Sequence, residues 1–142
     1  MNAGGNLEVA VGLKLPIIRH VVTQAMINRY AEASGDDNPL HIDPEFGKTT
    51  PFGGTIAHGM MTLAFMAQMM AEWDWVGWSC GGELDIAFIG PVRPGEEVVT
   101  SGTVREIENR NGARYAACDV TCAAGGRTVL AGTAWRRLGN PT

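Results

Sequence analysis

Basic residues are scarce in this chain: 11 Lys and Arg stand against 15 Asp and Glu, for a formal net charge of −4. Phosphate backbones demand clustered cations, so nucleic acid is not an expected partner. A phosphorylated small ligand needs only a few local basic residues and stays open. Cysteine is scarce as well, at three. Cys118 and Cys122 fall on one face of a single expected strand, four rises of ~3.3 Å apart, too far for a disulfide. With Cys80 they are read as reduced thiols filling a core, which points to a cytoplasmic protein. There is no long apolar run: the most apolar stretch, 60–67, stops at Gln68 and is too short to span a bilayer, so no membrane partner is expected. Residues 1–6 lack a basic region followed by an apolar segment and do not read as a signal peptide. No repeat, low-complexity tract or linker divides the 142 residues, and residues 1–142 are expected to form one domain around one core.

What is present has a clear order. Residues 9–22 mix β-branched residues with polar breaks and predict a strand with a long approach. Thr23 is placed to cap a helix running to about Ala33, with Ala25, Met26, Ile27, Tyr30 and Ala33 on its apolar side. Residues 34–54 hold Pro39, Pro44, Pro51, Gly47, Gly53 and Gly54 and predict a long loop with room for one helical turn near 44–46. A loop of that length in a small domain is usually functional. Residues 56–72, IAHGMMTLAFMAQMMAE, have no proline and are apolar nearly all round. A helix without a polar stripe must be buried on most sides. Met60, Met61, Met66, Met69 and Met70 lie in it and read as core filler.

Trp73, Trp75 and Trp78 follow as packing residues just beyond the helix. The period then changes to two, with Leu84, Ile86 and Phe88 alternating against Glu83, Asp85 and Ala87. Strands over 98–107, 114–122 and 127–137 are joined by the turn signals Asn111-Gly112 and Gly125-Gly126. The plan is strand, helix, long loop, buried helix and antiparallel meander: an α+β fold in which a sheet wraps an apolar helix.

The long loop carries the chemistry. In SGDDNPLHID, an acid (Asp36) and an imidazole (His41) lie on either side of Asn38-Pro39. Pro39 fixes its own φ and pushes Asn38 into an extended conformation, so the segment cannot simply continue as a helix. Two proton-exchanging groups on a stiff loop beside an apolar helix suit general acid–base work. Spacing alone also fits ordinary turn formers and a satisfied histidine. Ala57-His58-Gly59-Met60 opens the buried helix, where first-turn N–H groups lack intrahelical partners and the dipole is positive. There Gly59 would let a thioester oxygen approach as it becomes enolate-like, although flexible entry to the helix is by itself the better account of the glycine. His41, Asp43 and His58 make a poor metal set, and no metal is expected. Gly53-Gly54 reads as a turn and not as a phosphate loop.

The run YAEASGDDNPLHIDPEFGKTTPFGGTIAHGMM, residues 30–61, closely resembles the signature of the MaoC-like (R)-specific enoyl-CoA hydratases, the hydratase 2 family. FIGPVRPGEEV, residues 88–98, resembles the strand–turn–strand segment of the same family. The resemblance implies a hot-dog fold, with the sheet curled around the helix of 56–72, and a homodimer whose two sheets run together. It also implies the trans-2-enoyl-CoA to 3-hydroxyacyl-CoA interconversion without a cofactor, because the thioester itself acidifies C2. By position, Asp36 and His41 match the catalytic pair and Gly59 the oxyanion-hole donor. Asn38 matches the loop-shaping residue beside Pro39.

Three rivals share these features. A hot-dog acyl-CoA thioesterase usually needs a carboxylate on the central helix; residues 56–68 offer none, and Glu72 lies too late. A non-catalytic partner subunit of a hydratase would be expected to lack Asp36 or His41, and both are here. A 3-hydroxyacyl-ACP dehydratase, using an acyl-carrier-protein thioester, is not separated by sequence. Lys48 and Arg93 could meet coenzyme-A phosphates, although solvated surface positions account for both.

Overall fold

The computed structural model describes residues 8–139; the segment 1–6, with its expected lack of a signal peptide, lies outside the described residues. The chain runs β1 (Ile18–Val21), α1 (Gln24–Ser34), α2 (Pro39–Ile42), α3 (Pro44–Lys48), α4 (Gly59–Gly81), β2 (Glu83–Phe88), β3 (Glu97–Arg110), β4 (Ala113–Ala124) and β5 (Arg127–Leu138). β1 is shorter than its sequence suggests: of residues 9–17, only Lys14 adds a single bridge, to Thr103. Thr23 caps α1 as expected, its hydroxyl accepting the Met26 N–H at 3.2 Å, and Ile27 and Ala31 are buried beneath that helix.

All pairings in the five-stranded sheet are antiparallel, in the order β1-β3-β4-β5-β2. β3, β4 and β5 form the expected meander. Asn111 and Gly112 take φ of 49° and 80° at the first turn, the left-handed geometry that matches strand twist in a two-residue hairpin. β2 departs from the meander reading. It pairs with β5, Glu83 against Trp135 and Phe88 against Leu130, and so occupies the edge opposite β1. Its alternating pattern marks a half-buried strand but carries no information about which neighbour it joins.

α4 lies against this sheet. It starts at Gly59 and extends nine residues past Glu72, absorbing the three tryptophans. Asp74 interrupts it with φ −158° and ψ 97°. The Asp74 carboxylate restarts the helix by accepting the N–H groups of Val76 (3.1 Å) and Gly77 (3.2 Å). Its other oxygen takes Arg136 Nη1 at 2.6 Å, and the same guanidinium lies 4.0 Å over the Trp73 ring. Arg136 is buried, so this pairing satisfies a charge that would be expensive alone. Trp73 and Trp78 pack against the core, whereas Trp75 is exposed.

Met61, Met66, Met69 and Met70 are buried against strand residues such as Val98, Val120 and Leu130, as expected of core filler. Met60 is not: it stands 57% exposed beside Gly59. Cys118 and Cys122 fill the core from β4, and burial pushes the Cys118 thiol up to about 12 and raises that of Cys122. Cys80, near the end of α4, is exposed and fills no core. No helix among the described residues is long and apolar enough to cross a membrane.

Candidate active site

The segment between α1 and α4 is built from local caps. Asn38 has φ −52° and ψ 128°, the extended shape that a following proline imposes, and its side chain accepts the Leu40 N–H at 3.0 Å. Pro39 then opens a helical turn instead of preventing one, because a proline at the first helical position loses no hydrogen bond. Asp43 repeats the device for α3, accepting from Glu45 (3.0 Å) and Phe46 (3.3 Å). The loop is therefore two capped turns in series, of which the sequence pattern suggested only the second.

His41 sits at the end of the first turn, half-buried. Its Nδ1 lies 2.8 Å from the Ile56 carbonyl oxygen. A carbonyl can only accept, so Nδ1 carries the proton and Nε2 of the neutral ring keeps its lone pair. The Ile56 N–H returns a bond to the Leu40 carbonyl at 3.3 Å, which ties the turn to the strand-like approach of α4. Asp36, exposed on the loop, has its carboxylate close to its own chain: Oδ1 accepts the Asn38 N–H at 3.4 Å.

His58, the N-cap residue of α4, joins the two halves. Its Nε2 donates to the Asp36 carbonyl at 2.8 Å, and its ring stacks on His41 with centroids 3.9 Å apart. It is fully enclosed, and its Nδ1 has no hydrogen-bond partner. One ligand-type atom from each of Asp36, His41 and His58 lies within 4.8 Å of the others. Asp36 takes the place that the sequence pattern offered to Asp43, whose carboxylate is spent on capping α3. This is the set that could hold a cation. Each ring already commits one nitrogen to a carbonyl, leaving His41 Nε2, His58 Nδ1 and the carboxylate.

Gly59 follows at the first position of α4, where its N–H has no intrahelical partner. The reason for a glycine here is immediate: a Cβ would lie 2.8 Å from the Phe88 ring. Phe88 and Gly59 share a groove of about 410 Å³, together with Phe52, Ile56, Thr62 and Val92. A groove of about 460 Å³ at the Glu96 and Gly126 end of the sheet holds none of these residues. The coenzyme-phosphate candidates are both engaged, Lys48 with Glu45 at 2.8 Å and Arg93 with the Phe52 carbonyl at 3.1 Å.

Of the expected site residues, the fold brings Asp36 and His41 to His58, which directly precedes Gly59, while Asn38 and Pro39 shape the turn that carries His41. For His58 the sequence suggests only a place in the helix opening and a poor metal set, with no catalytic or positioning role; its position beside Gly59 on an enclosed helix is the available signal. Gln24 bonds to the His41 carbonyl and accepts the Thr55 hydroxyl, and neither residue carries a signal in the sequence.

Residues 11–123 match the family model described as MaoC like domain. A 3-hydroxybutyryl-CoA dehydratase of Methylorubrum extorquens is 32% identical over 128 residues, 89% of this chain and 79% of that protein. The 3-hydroxyacyl-thioester dehydratase Z of Mycobacterium tuberculosis is 45% identical over 51 residues, 36% of this chain; the match spans about a third, 34%, of that relative's length. Among solved structures, an (R)-hydratase from A. caviae involved in PHA biosynthesis superposes with a TM-score of 0.80 at 27% identity, covering 94% of this chain and 99% of that one. The antiparallel sheet around a central helix is accordingly the hot-dog fold. On its sequence and its architecture together, this chain belongs to the MaoC-like dehydratase domain family.

Proposed function

We propose that this protein is a hydro-lyase that adds water to trans-2-enoyl-CoA to give (R)-3-hydroxyacyl-CoA, or removes it in reverse. The observation that carries this reading is the convergence of the Asp36 carboxylate and the His41 ring next to His58-Gly59, with His41 Nε2 free to accept. The thioester lies in the Gly59–Phe88 groove with its carbonyl oxygen on the Gly59 N–H. One water is held over C3 by Asp36 and His41, donating a hydrogen to each. As its oxygen bonds to C3, Asp36 takes one proton and the C2–C3 π electrons move onto the thioester. The pair then returns a proton to C2 from the same face, so addition is syn.

The thioesterase alternative loses support from the fold. The longer α4 adds one acid beyond Glu72, and that acid, Asp74, is bound to Arg136. Assembly is part of the proposal. Asp36 is exposed in the single chain, no strand among the described residues pairs with the outer edge of β2, and Met60, Phe88 and Ile89 are 57%, 56% and 58% exposed next to Gly59. An open strand edge with an apolar rim is a surface for a second copy. A homodimer joined there would continue the sheet and wall the groove, and light scattering should return twice the chain mass or a multiple; a fully active monomer contradicts it. The unpaired buried thiols support a cytoplasmic setting.

The test is to supply trans-2-enoyl-CoAs of several lengths and pass the product to enantiomer-specific 3-hydroxyacyl-CoA dehydrogenases. Oxidation by the (R)-specific enzyme alone is expected. Oxidation by the (S)-specific enzyme alone overturns the stereochemistry, a racemate overturns single-face delivery, and turnover of acyl-carrier-protein thioesters alone overturns the carrier.

A further inference from the structure

We propose that Gln24 is a positioning residue for His41, acting as a clamp between the two backbone segments that carry the site; this deepens the hydratase reading and rests on it. Gln24 is the first residue of α1, directly after the Thr23 cap, and its side chain is half-buried. Its Nε2 donates to the His41 carbonyl at 2.7 Å and to Asn28 Oδ1 at 3.0 Å. Its Oε1 accepts the Thr55 hydroxyl at 2.6 Å. The amide orientation is fixed by chemistry, since a backbone carbonyl can face only the nitrogen.

These bonds close a ring. Thr55 is covalently joined to Ile56; the Ile56 carbonyl holds His41 Nδ1 at 2.8 Å; and the His41 carbonyl leads back to Gln24. The imidazole is therefore held from its own side chain and its own backbone by two segments that Gln24 keeps in register. Without Gln24, the remaining backbone bond between the segments is Ile56 N–H to Leu40 at 3.3 Å, long for an amide pair. Thr55 is buried, so its hydroxyl has no water to replace the lost partner. Gln24 itself makes no contact with Asp36, His58 or Gly59 among its hydrogen bonds, and it is not assigned to substrate. Its influence runs through where His41 Nε2 points. A catalytic group misplaced by about an ångström can lose up to 10²-fold in rate, and a partial displacement about tenfold.

The experiment uses the full chain and crotonyl-CoA hydration. Gln24→Met keeps the length of the side chain and removes both polar contacts. It should lower kcat about tenfold, leave KM within about twofold, and leave the melting temperature within a few degrees. Gln24→Glu keeps an acceptor for Thr55 but sets an oxygen against the His41 carbonyl, and should lose at least as much. It also serves if the Met variant fails to fold. The deciding measurement is made in a His41→Ala background. There Gln24→Met should change the residual rate by less than about twofold, because its partner in catalysis is already gone. Wild-type kcat in Gln24→Met, or an equal fold-loss in the His41→Ala background, overturns the clamp and leaves the hydratase reading standing. Wild-type kcat in His41→Ala overturns the hydratase reading, and the clamp with it.

Discussion

The β3–β5 meander and the segment from Asp36 to Gly59 are held together by different forces. In the meander, every strand pairs along its length and the inward residues, among them Val98, Val120 and Leu130, are buried against α4. In the site segment, Asp36 and Asn38 are exposed, and the shape comes from caps and single hydrogen bonds. The meander and α4 supply stability through apolar burial; the segment supplies geometry through polar contacts that contribute little net energy each. Damage to one should therefore be read out in unfolding, and damage to the other in turnover.

The sharpest way to break that division is at the pair itself. Asp36→Asn or His41→Ala should reduce kcat by about 10² or more with an unchanged unfolding transition, and the double variant should be little worse than either. Near-wild-type turnover in either single variant removes the pair from the mechanism. Next in size is Met66→Ala, which empties a fully buried position on α4. It should cost about 3 kcal/mol in denaturant unfolding, while kcat per folded molecule holds. A proportionate loss of kcat with intact fold would show that the core and the site are not separable.

A smaller effect belongs to Glu96, directly before β3. Its carboxylate takes two bonds from Arg127, at 2.8 and 2.7 Å, and that guanidinium holds it below its ordinary value of 4.5. A depressed carboxylate adds stability that is full above its unfolded value and fades as pH falls through the native one. Glu96→Gln should lower the melting temperature by about 3 °C at neutral pH, as an exposed pair of this kind allows. The difference from wild type should shrink below pH 4.5. A gap that persists unchanged at pH 3 would mean that packing, not the ion pair, is responsible.

How far these regions were legible in sequence differs in the same way. The Thr23 cap, the Asn111-Gly112 turn and the buried face of α4 are local patterns, and each appears where the pattern placed it. The edge position of β2 depends on β5, dozens of residues later, and no local period encodes it. The continuation of α4 past Glu72 rests on the cap that Asp74 gives Val76 and Gly77, and Arg136, which holds the other oxygen of that carboxylate, lies 62 positions further on. In the site, Asp36, His41 and Gly59 stand in a motif dense enough to read. Gln24 and Thr55 do not, because a glutamine after a helix cap and a threonine before an apolar run are unremarkable until the fold brings them to 2.6 Å.

The two outermost strands of the sheet, β1 and β2, are also the two ends of the stretch that holds Asp36, His41, His58 and Gly59. In kinetic terms, the site is a single long closure. The hairpins β3–β4 and β4–β5 need only two-residue turns to form, but the site segment must be anchored at opposite edges of a sheet that already exists. Loop-closure entropy places that event late on the folding pathway. During refolding from denaturant, protection of the β4 amides should precede the return of enzymatic turnover, and any early folded species should be well ordered yet inert.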